Sequence, residues 1–125
     1  MAPEARHLEA AARFGRALEH AATTGDWTSL YPHLAPDVEW ITPIRTLNGI
    51  DAVEHDLRWG SPPDHLAVEF QVGPWLDLGE NRAAVDVHEI YRLRGTDAVG
   101  YQRDRRIHVT IRDGKVERYE MEVVG

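Results

Sequence analysis

The sequence predicts an α+β fold in which a long, curved antiparallel sheet is closed by helices and encloses a pocket. Three observations carry that prediction. Two strand-like runs, Val99 to Arg112 and Lys115 to Val123, meet at Asp113-Gly114, and Asp-Gly between alternating segments is among the strongest short-range hairpin signals. The chain before Asn81 supplies mostly helical periodicity, so it reads largely as a cap for the sheet. The order helix, helix, strand, helix, then four long strands lacks the regular strand-helix alternation of a parallel sheet.

In chain order, a first helix from about Glu4 to Thr23 sets Leu8, Ala11, Ala12, Leu18 and Ala22 on one stripe, widened by Phe14, Ala17 and Ala21. Thr24-Gly25 ends it, because glycine accepts the left-handed conformation common just past a helix. Asp26 caps a second, shorter helix with Trp27, Leu30, Tyr31 and Leu34 at helical spacing, closed by Pro36. Val38 to Ile41 is β-prone, and Pro43 confines it to an edge or a bend. After Asn48-Gly49 a third helix begins with Asp51 and Glu54 in its first turn, favourable to the helix dipole, and turns Val53 and Leu57 inward. Gly60-Ser61-Pro62-Pro63 terminates it. Strands follow at about Leu66 to Leu78, Arg82 to Arg94, Val99 to Arg112 and Lys115 to Val123.

Composition narrows the function classes. At 125 residues the chain is expected to be one domain, spanning 1–125, with a single core. A 42% apolar fraction and four tryptophans describe an ordered globular protein. The net charge of −7 argues against a general nucleic-acid binder, which needs a basic face to neutralise phosphates. Eight of the thirteen arginines nevertheless lie from Arg82 onward, beside a single lysine. Without cysteine there is no disulfide scaffold, thiolate metal site or thiol nucleophile. The N-terminus has no basic-then-apolar signal pattern, and no apolar run approaches the roughly 20 residues of a membrane span. The expected location is therefore the cytoplasm, away from membranes.

The fold motifs Thr24-Gly25-Asp26-Trp27, Leu34-Ala35-Pro36-Asp37-Val38, Asn48-Gly49-Ile50-Asp51-Ala52-Val53, Gly73-Pro74 and Arg112-Asp113-Gly114-Lys115-Val116 span nearly the whole chain. In them the chain resembles the nuclear transport factor two-like superfamily, which includes SnoaL-like polyketide cyclases, ketosteroid isomerases and limonene epoxide hydrolases. The resemblance implies a cone-shaped curved antiparallel sheet, a half-barrel capped by three helices, and a homodimer across the outer sheet face. That face would present Asp86, His88, Ile90, Arg92, Arg118 and Glu120. It implies no cofactor. These motifs serve as caps, turns and core positions, so they speak to architecture more than to function.

If the loop Gly95 to Ala98 joins its two strands symmetrically, Glu89 stands opposite Asp104 on one sheet face. Two adjacent carboxyl groups do not ionise independently; one affinity for protons rises and the pair titrates as a unit, a source of general acid or base near neutrality. In the ketosteroid isomerases the residue matching Asp104 by distance from the final hairpin is a pocket acid that binds the substrate oxygen. The alternative leaves Asp104 outside, paired with Arg103, Arg105 or Arg106. Simple alternation favours that alternative, since Ile107, Val109 and Ile111 form the apolar face, whereas a bulge between about Asp104 and Ile107 would turn Asp104 inward. A strand this long in a strongly bent sheet usually needs a bulge, so Asp104 is expected in the pocket, catalytic together with Glu89 and Arg106.

Departures from the resembled enzymes restrict the chemistry. Thr42 stands at the isomerases' catalytic-base position and cannot abstract a carbon-bound proton, while Leu18 replaces their first-helix tyrosine. Met121 stands where cyclases and epoxide hydrolases carry an aspartate. Their Asp-Arg-Asp arrangement would need replacement by Glu89, Asp104 and an arginine such as Arg106. Tyr91 and Tyr119 fall on the inner face, where they could donate to an oxyanion or serve as core residues. Trp40, Trp59 and Trp75 could line an apolar ligand site or act as core, and His55 could serve as an acid or base at the pocket mouth. The seven histidines contain no i, i+4 pair, and no phosphate loop or nucleophile elbow is present, so no metal site is expected.

The expected activity is cofactor-independent acid-base catalysis on a small apolar, oxygen-bearing molecule of polyketide or terpenoid kind: cyclisation, isomerisation, dehydration or epoxide opening. A non-catalytic module of the same fold, binding a small molecule or dimerising, is the competing expectation.

Overall fold

A computed structural model describes residues 3–59 and 66–124, with the side chains of 3–5, 58 and 59 excepted. Helix α1 (Pro3–Thr24) buries Ala10, Ala11, Phe14, Leu18 and Ala21, the stripe that its periodicity marks. Gly25, at φ 80°, ends it and donates its N–H to the Ala21 carbonyl.

The second helical segment takes the form of two 3-10 turns, Trp27–Ser29 and Tyr31–His33. Asp26 caps the first, accepting from the Thr28 N–H at 3.1 Å. Pro32 lies in the second and lacks the N–H that an α-helix would direct at Thr28, which stops the turns from merging. Leu34, expected on that helix, opens β1 (Leu34–Ile41) instead. A bend containing Pro43 leads to β2 (Thr46–Asn48), and Gly49 at φ 90° starts α2 (Ile50–Trp59). The stop signal at Gly60-Ser61-Pro62-Pro63 lies outside the described residues.

The expected strand Leu66 to Leu78 is broken at Gly73-Pro74 into β3 (Leu66–Val72) and β4 (Leu76–Gly79). Strands β5 (Arg82–Leu93), β6 (Val99–Arg112) and β7 (Lys115–Val124) follow. The seven strands form one unclosed sheet in the order β2-β1-β7-β6-β5-β3, with β4 also paired to β5. Among the described residues only the β1–β7 pair is parallel.

One face of this sheet is covered by α1, which packs against β3, β5, β6 and β7, while α2 contacts β1. Between helix and sheet lie Phe14, Leu30, Leu34, Val38, Val53, Val85, Val87, Ile107, Val109 and Val116, all fully buried. The opposite face carries the ion pairs Asp86–Arg106 and Arg118 with Glu39 and Glu120, and the contacts His88–Asp104 and His108–Glu122, which are ion pairs only when the imidazole is protonated. Among the described residues no helix is long and apolar enough to cross a membrane.

The register of β5 on β6 corrects the expected carboxylate pair. Glu89 stands opposite Arg103, and Asp104 stands opposite His88. The hairpin is offset by one residue from a symmetric closure about Gly95 to Ala98, and a one-residue offset exchanges the two faces of a strand. Pairing is uninterrupted from Arg82↔Thr110 to Tyr91↔Tyr101, so the bulge required between Asp104 and Ile107 does not form. The irregularities fall beyond that stretch, between Tyr91 and Arg92 and, against β7, between Thr110 and Ile111.

Candidate functional site

Between the inner sheet face and the helices lies a cavity of about 560 Å³. Its apolar wall includes Leu18, Phe70, Ile107 and Met121, with Trp40 and Tyr119 stacked at 3.7 Å and 12° between planes. Edge-on contact with Phe14 at 6.0 Å holds the Tyr119 ring from the α1 side. The mouth carries Thr42, Pro43, Ile44, Arg45 and Asp56, the last two paired at 2.7 Å. A larger depression of about 820 Å³ between α1 and the turns after β4 and β6 is bordered by exposed charges such as Arg6, Glu9, Glu80 and Asp113. It contains no buried titratable group, so the smaller cavity is the chemical candidate.

The polar centre of the cavity is built on alternate residues of two adjacent strands. Glu89 and Tyr91 on β5, and Arg103 and Arg105 on β6, all face inward. Glu89 is only 3% exposed. Arg105 Nε lies 2.5 Å from Glu89 Oε1 without the alignment of a hydrogen bond, and Arg103 Nη2 donates to Oε2 at 3.4 Å. Tyr91 donates its hydroxyl proton to the same Oε2 at 2.5 Å. The Arg103 guanidinium also sits 5.7 and 5.9 Å from the ring centres of Tyr91 and Tyr101, which are themselves stacked.

Burial, reinforced by the Glu89 hydrogen bond, pushes the Tyr91 phenol above its ordinary value. Burial, aided by the Glu89 charge, does the same for Tyr119. Both phenols therefore keep their protons through the neutral range and remain hydrogen-bond donors. The site combines one buried carboxylate, two guanidiniums and two protonated phenols on an apolar, aromatic background.

Several residues singled out from the sequence meet here: Glu89, Tyr91, Tyr119, Met121, Trp40 and Thr42 all line the cavity. Others lie elsewhere. Asp104 is on the outer face with its side chain 65% exposed, and its Oδ1 lies 2.6 Å from His88 Nδ1. Arg106 is also outside, donating from Nε to Asp86 Oδ1 at 2.8 Å. Neither can reach a molecule in the cavity, because the sheet stands between. His55 is exposed on α2 and is not part of the cavity wall. Trp75 packs against α1 so closely that a Cβ on Gly15 would lie 3.0 Å from its Nε1. The Trp59 side chain lies outside the described residues.

Among the charged cavity residues that the sequence analysis did not single out are Arg103 and Arg105. Their signal was the unbroken alternation Arg103, Arg105, Ile107, Val109, Ile111 along β6. Among the described residues no cluster of three or more His, Asp or Glu side chains is placed to hold a metal ion.

No protein-family model and no curated protein matches the chain. Solved structures do. An NTF2-like protein from Anabaena variabilis superposes with a TM-score of 0.84 at 13% identity, covering 100% of this chain and 94% of its own. TerC, co-crystallised with polyporic acid, gives 0.71 at 22% identity, covering 95% and 92%. An LEH-like epoxide hydrolase from M. tuberculosis gives 0.69 at 12% identity, covering 96% and 84%. At these identities the likeness concerns backbone architecture rather than activity. With its half-barrel sheet, its helical cap and its enclosed cavity, the chain has the fold of the nuclear transport factor two-like superfamily.

Proposed function

We propose that the protein is a cofactor-independent acid-base enzyme acting on a small, largely apolar molecule that carries a carbonyl or comparable oxygen. Glu89 is the proton-transferring group, Tyr91 its hydrogen-bonded partner, and Arg103 and Arg105 stabilise negative charge that develops on the substrate oxygen. For an enolisable ketone, Glu89 takes the proton from the carbon next to the carbonyl and the resulting enolate oxygen is held by a guanidinium. In a β,γ-unsaturated ketone, return of that proton to the γ-carbon completes an isomerisation; where the enolate carbon instead attacks a second carbonyl of the same molecule, Glu89 returns the proton to the new alkoxide and so completes a cyclisation.

The observation that supports this reading best is the Glu89 cluster itself. Burying a carboxylate with guanidiniums contributes little net stability, because desolvation offsets the attraction. A well-packed apolar residue would serve the fold as well, so the cluster's place on the wall of a largely apolar cavity reads as function. Structural neighbours include an epoxide hydrolase and a protein crystallised with polyporic acid, which fits the same class of ligand.

A panel of apolar ketones, epoxides and lactones, first ranked by thermal shift and then assayed for turnover, tests the proposal. Glu89→Gln should lose at least about a hundredfold in turnover, the scale of a general acid or base, while retaining ligand-induced stabilisation. A Glu89→Gln variant as active as the parent would remove Glu89 from the mechanism. The competing reading, a binding module of this fold, draws on the fact that Glu89 is already satisfied by protein partners. Ligand-induced stabilisation without turnover across the whole panel would favour it. Homodimerisation across the outer face belongs to either reading, and the ion pairs there suit a modest, salt-sensitive interface that sedimentation would detect.

A further inference from the structure

We infer that the cavity selects ligands bearing a negatively charged oxygen, a carboxylate or an acidic enol or phenol, and that Arg105 is the residue that reads it. The inference rests on the cavity being the ligand site. It adds the charge of the ligand, which the acid-base reading leaves open.

Three arginines, Arg45, Arg103 and Arg105, line the cavity against two carboxylates, Asp56 and Glu89, so the described lining carries one surplus positive charge. That local surplus stands out in a chain of net charge −7. The surplus can be located. Arg45 and Asp56 pair with each other at the mouth, which leaves Glu89 facing two guanidiniums at the centre.

The two central arginines each leave Nε without a hydrogen bond, and they differ in what accepts from their forks: oxygen for Arg103, sulfur for Arg105. Arg103 is braced against the rings of Tyr91 and Tyr101 and donates to both Glu89 and the Tyr91 hydroxyl. Arg105 has its Nε beside Glu89, and the hydrogen bond formed by its fork runs from Nη1 to the thioether of Met121 at 3.6 Å. A guanidinium offers five N–H donors, and a thioether is a weak acceptor. With the Arg105 side chain only 16% exposed, bulk water reaches little of it. An anionic oxygen entering the cavity would displace the sulfur and gain a charge-assisted, potentially bidentate bond.

Strand register then places the rest of such a ligand. Arg105 and Ile107 are successive inward residues of β6, and Ile107 stands opposite Met121, two residues from Tyr119 on β7. An anionic group on the Arg105 fork would therefore lay an apolar or aromatic body along Ile107, Met121 and the Trp40–Tyr119 stack.

The test uses the neutral and charged forms of one shape. Binding of 2-naphthoate and of 2-naphthamide is measured by calorimetry on the full chain, on Arg105→Met, on Arg105→Lys and on Glu89→Gln, with circular dichroism confirming each fold. In the parent protein 2-naphthoate should bind at least about tenfold more tightly than the amide, consistent with a charge-assisted contact. Arg105→Met should abolish the preference, Arg105→Lys should retain part of it, and Glu89→Gln should increase it by removing the competing negative charge. Should Arg105→Met fail to fold, the Glu89→Gln/Arg105→Met double variant removes both charges and should show no preference.

Equal or tighter binding of the amide by the parent overturns the inference, as does an unchanged preference in a folded Arg105→Met or double variant. The two readings fail separately. A charge preference without turnover of any panel compound sustains the Arg105 assignment and sinks the catalytic one, whereas turnover of neutral substrates without a charge preference does the reverse. Absence of binding by either probe overturns the anion assignment directly.

Discussion

A carboxylate 3% exposed inside an apolar shell persists because every oxygen has a donor or a cation beside it. Replacing Glu89 by glutamine keeps the shape but turns one of its two acceptor oxygens into an NH2 donor and leaves two guanidiniums without their counter-charge. Breaking a buried pair on one side costs about 3 kcal/mol, so the variant should unfold at lower urea concentration by that measure, and turnover must be compared where both proteins remain folded. On the outer face, the Asp104 hydrogen bond, followed by that of Gln102, raises His88 above its ordinary 6.5. A base raised on folding contributes stability that is complete below its unfolded value and is lost as pH climbs through the folded one. Asp104→Asn should therefore destabilise the protein more at pH 5.5 than at pH 8.5, as read by urea unfolding, and should leave turnover within about twofold, since Asp104 faces away from the cavity. A destabilisation equal at both pH values would refute the pairing. His33 works in the opposite sense: burial, with Arg13 and Arg16 nearby, lowers it, so its contribution is present above pH 6.5 and lost on acidification. It is common to both proteins and cancels in the comparison.

At the scale of elements, the β6–β7 hairpin fixes which residues reach the cavity. Asp113 at φ 53° and Gly114 at φ 77° form the paired left-handed turn that matches the twist of the flanking strands. Gly114→Ala should cost about 1 kcal/mol, the penalty of a Cβ in that conformation, visible as a lower urea midpoint with unchanged slope; an unaltered midpoint would mean that the turn tolerates the side chain. This hairpin was legible in the sequence because its signal is local. So were α1, whose stripe of Ala11, Phe14 and Leu18 is the one buried, and the inward placement of Tyr91 and Tyr119. Other features were not. The Trp27 to Leu34 segment has helical spacing, but Pro32 removes a donor that spacing does not register. The β5–β6 register depends on how the loop at 94–98 closes and on the irregularity beside Gly100, neither of which periodicity measures. The alternation of β6 itself pointed correctly to Arg103 and Arg105, and the assumption of a bulge at Asp104 set that signal aside. A carboxylate is the habitual suspect for acid-base work, but the strand's phase was the better guide.

For the molecule as a whole, no second sheet closes the open one among the described residues, and helix α1 acts as the other wall of both core and cavity. Phe14 is where those duties meet: it is fully buried, and its ring meets Tyr119 edge-on at 6.0 Å. Tyr119 in turn stacks on Trp40 at the cavity wall, linking helix, β7 and β1 through three aromatic rings. Removing a buried phenylalanine costs about 3 to 5 kcal/mol, a large share of the roughly 5 to 15 kcal/mol that holds a domain folded. Phe14→Ala should lower the melting temperature by more than about 10 °C. The void it leaves adjoins Tyr119, so a ligand resting on the Trp40–Tyr119 stack should also bind several-fold more weakly at temperatures where the variant is still folded. A distant core truncation such as Val116→Ala offers the control, because Val116 is fully buried yet does not line the cavity. It should lower stability while leaving affinity nearly unchanged. If both variants weaken binding in proportion to their lost stability, the cavity is sensed only through global unfolding and α1 has no separate role in shaping it. If Phe14→Ala alone does so, the helix shapes the ligand site as well as the core.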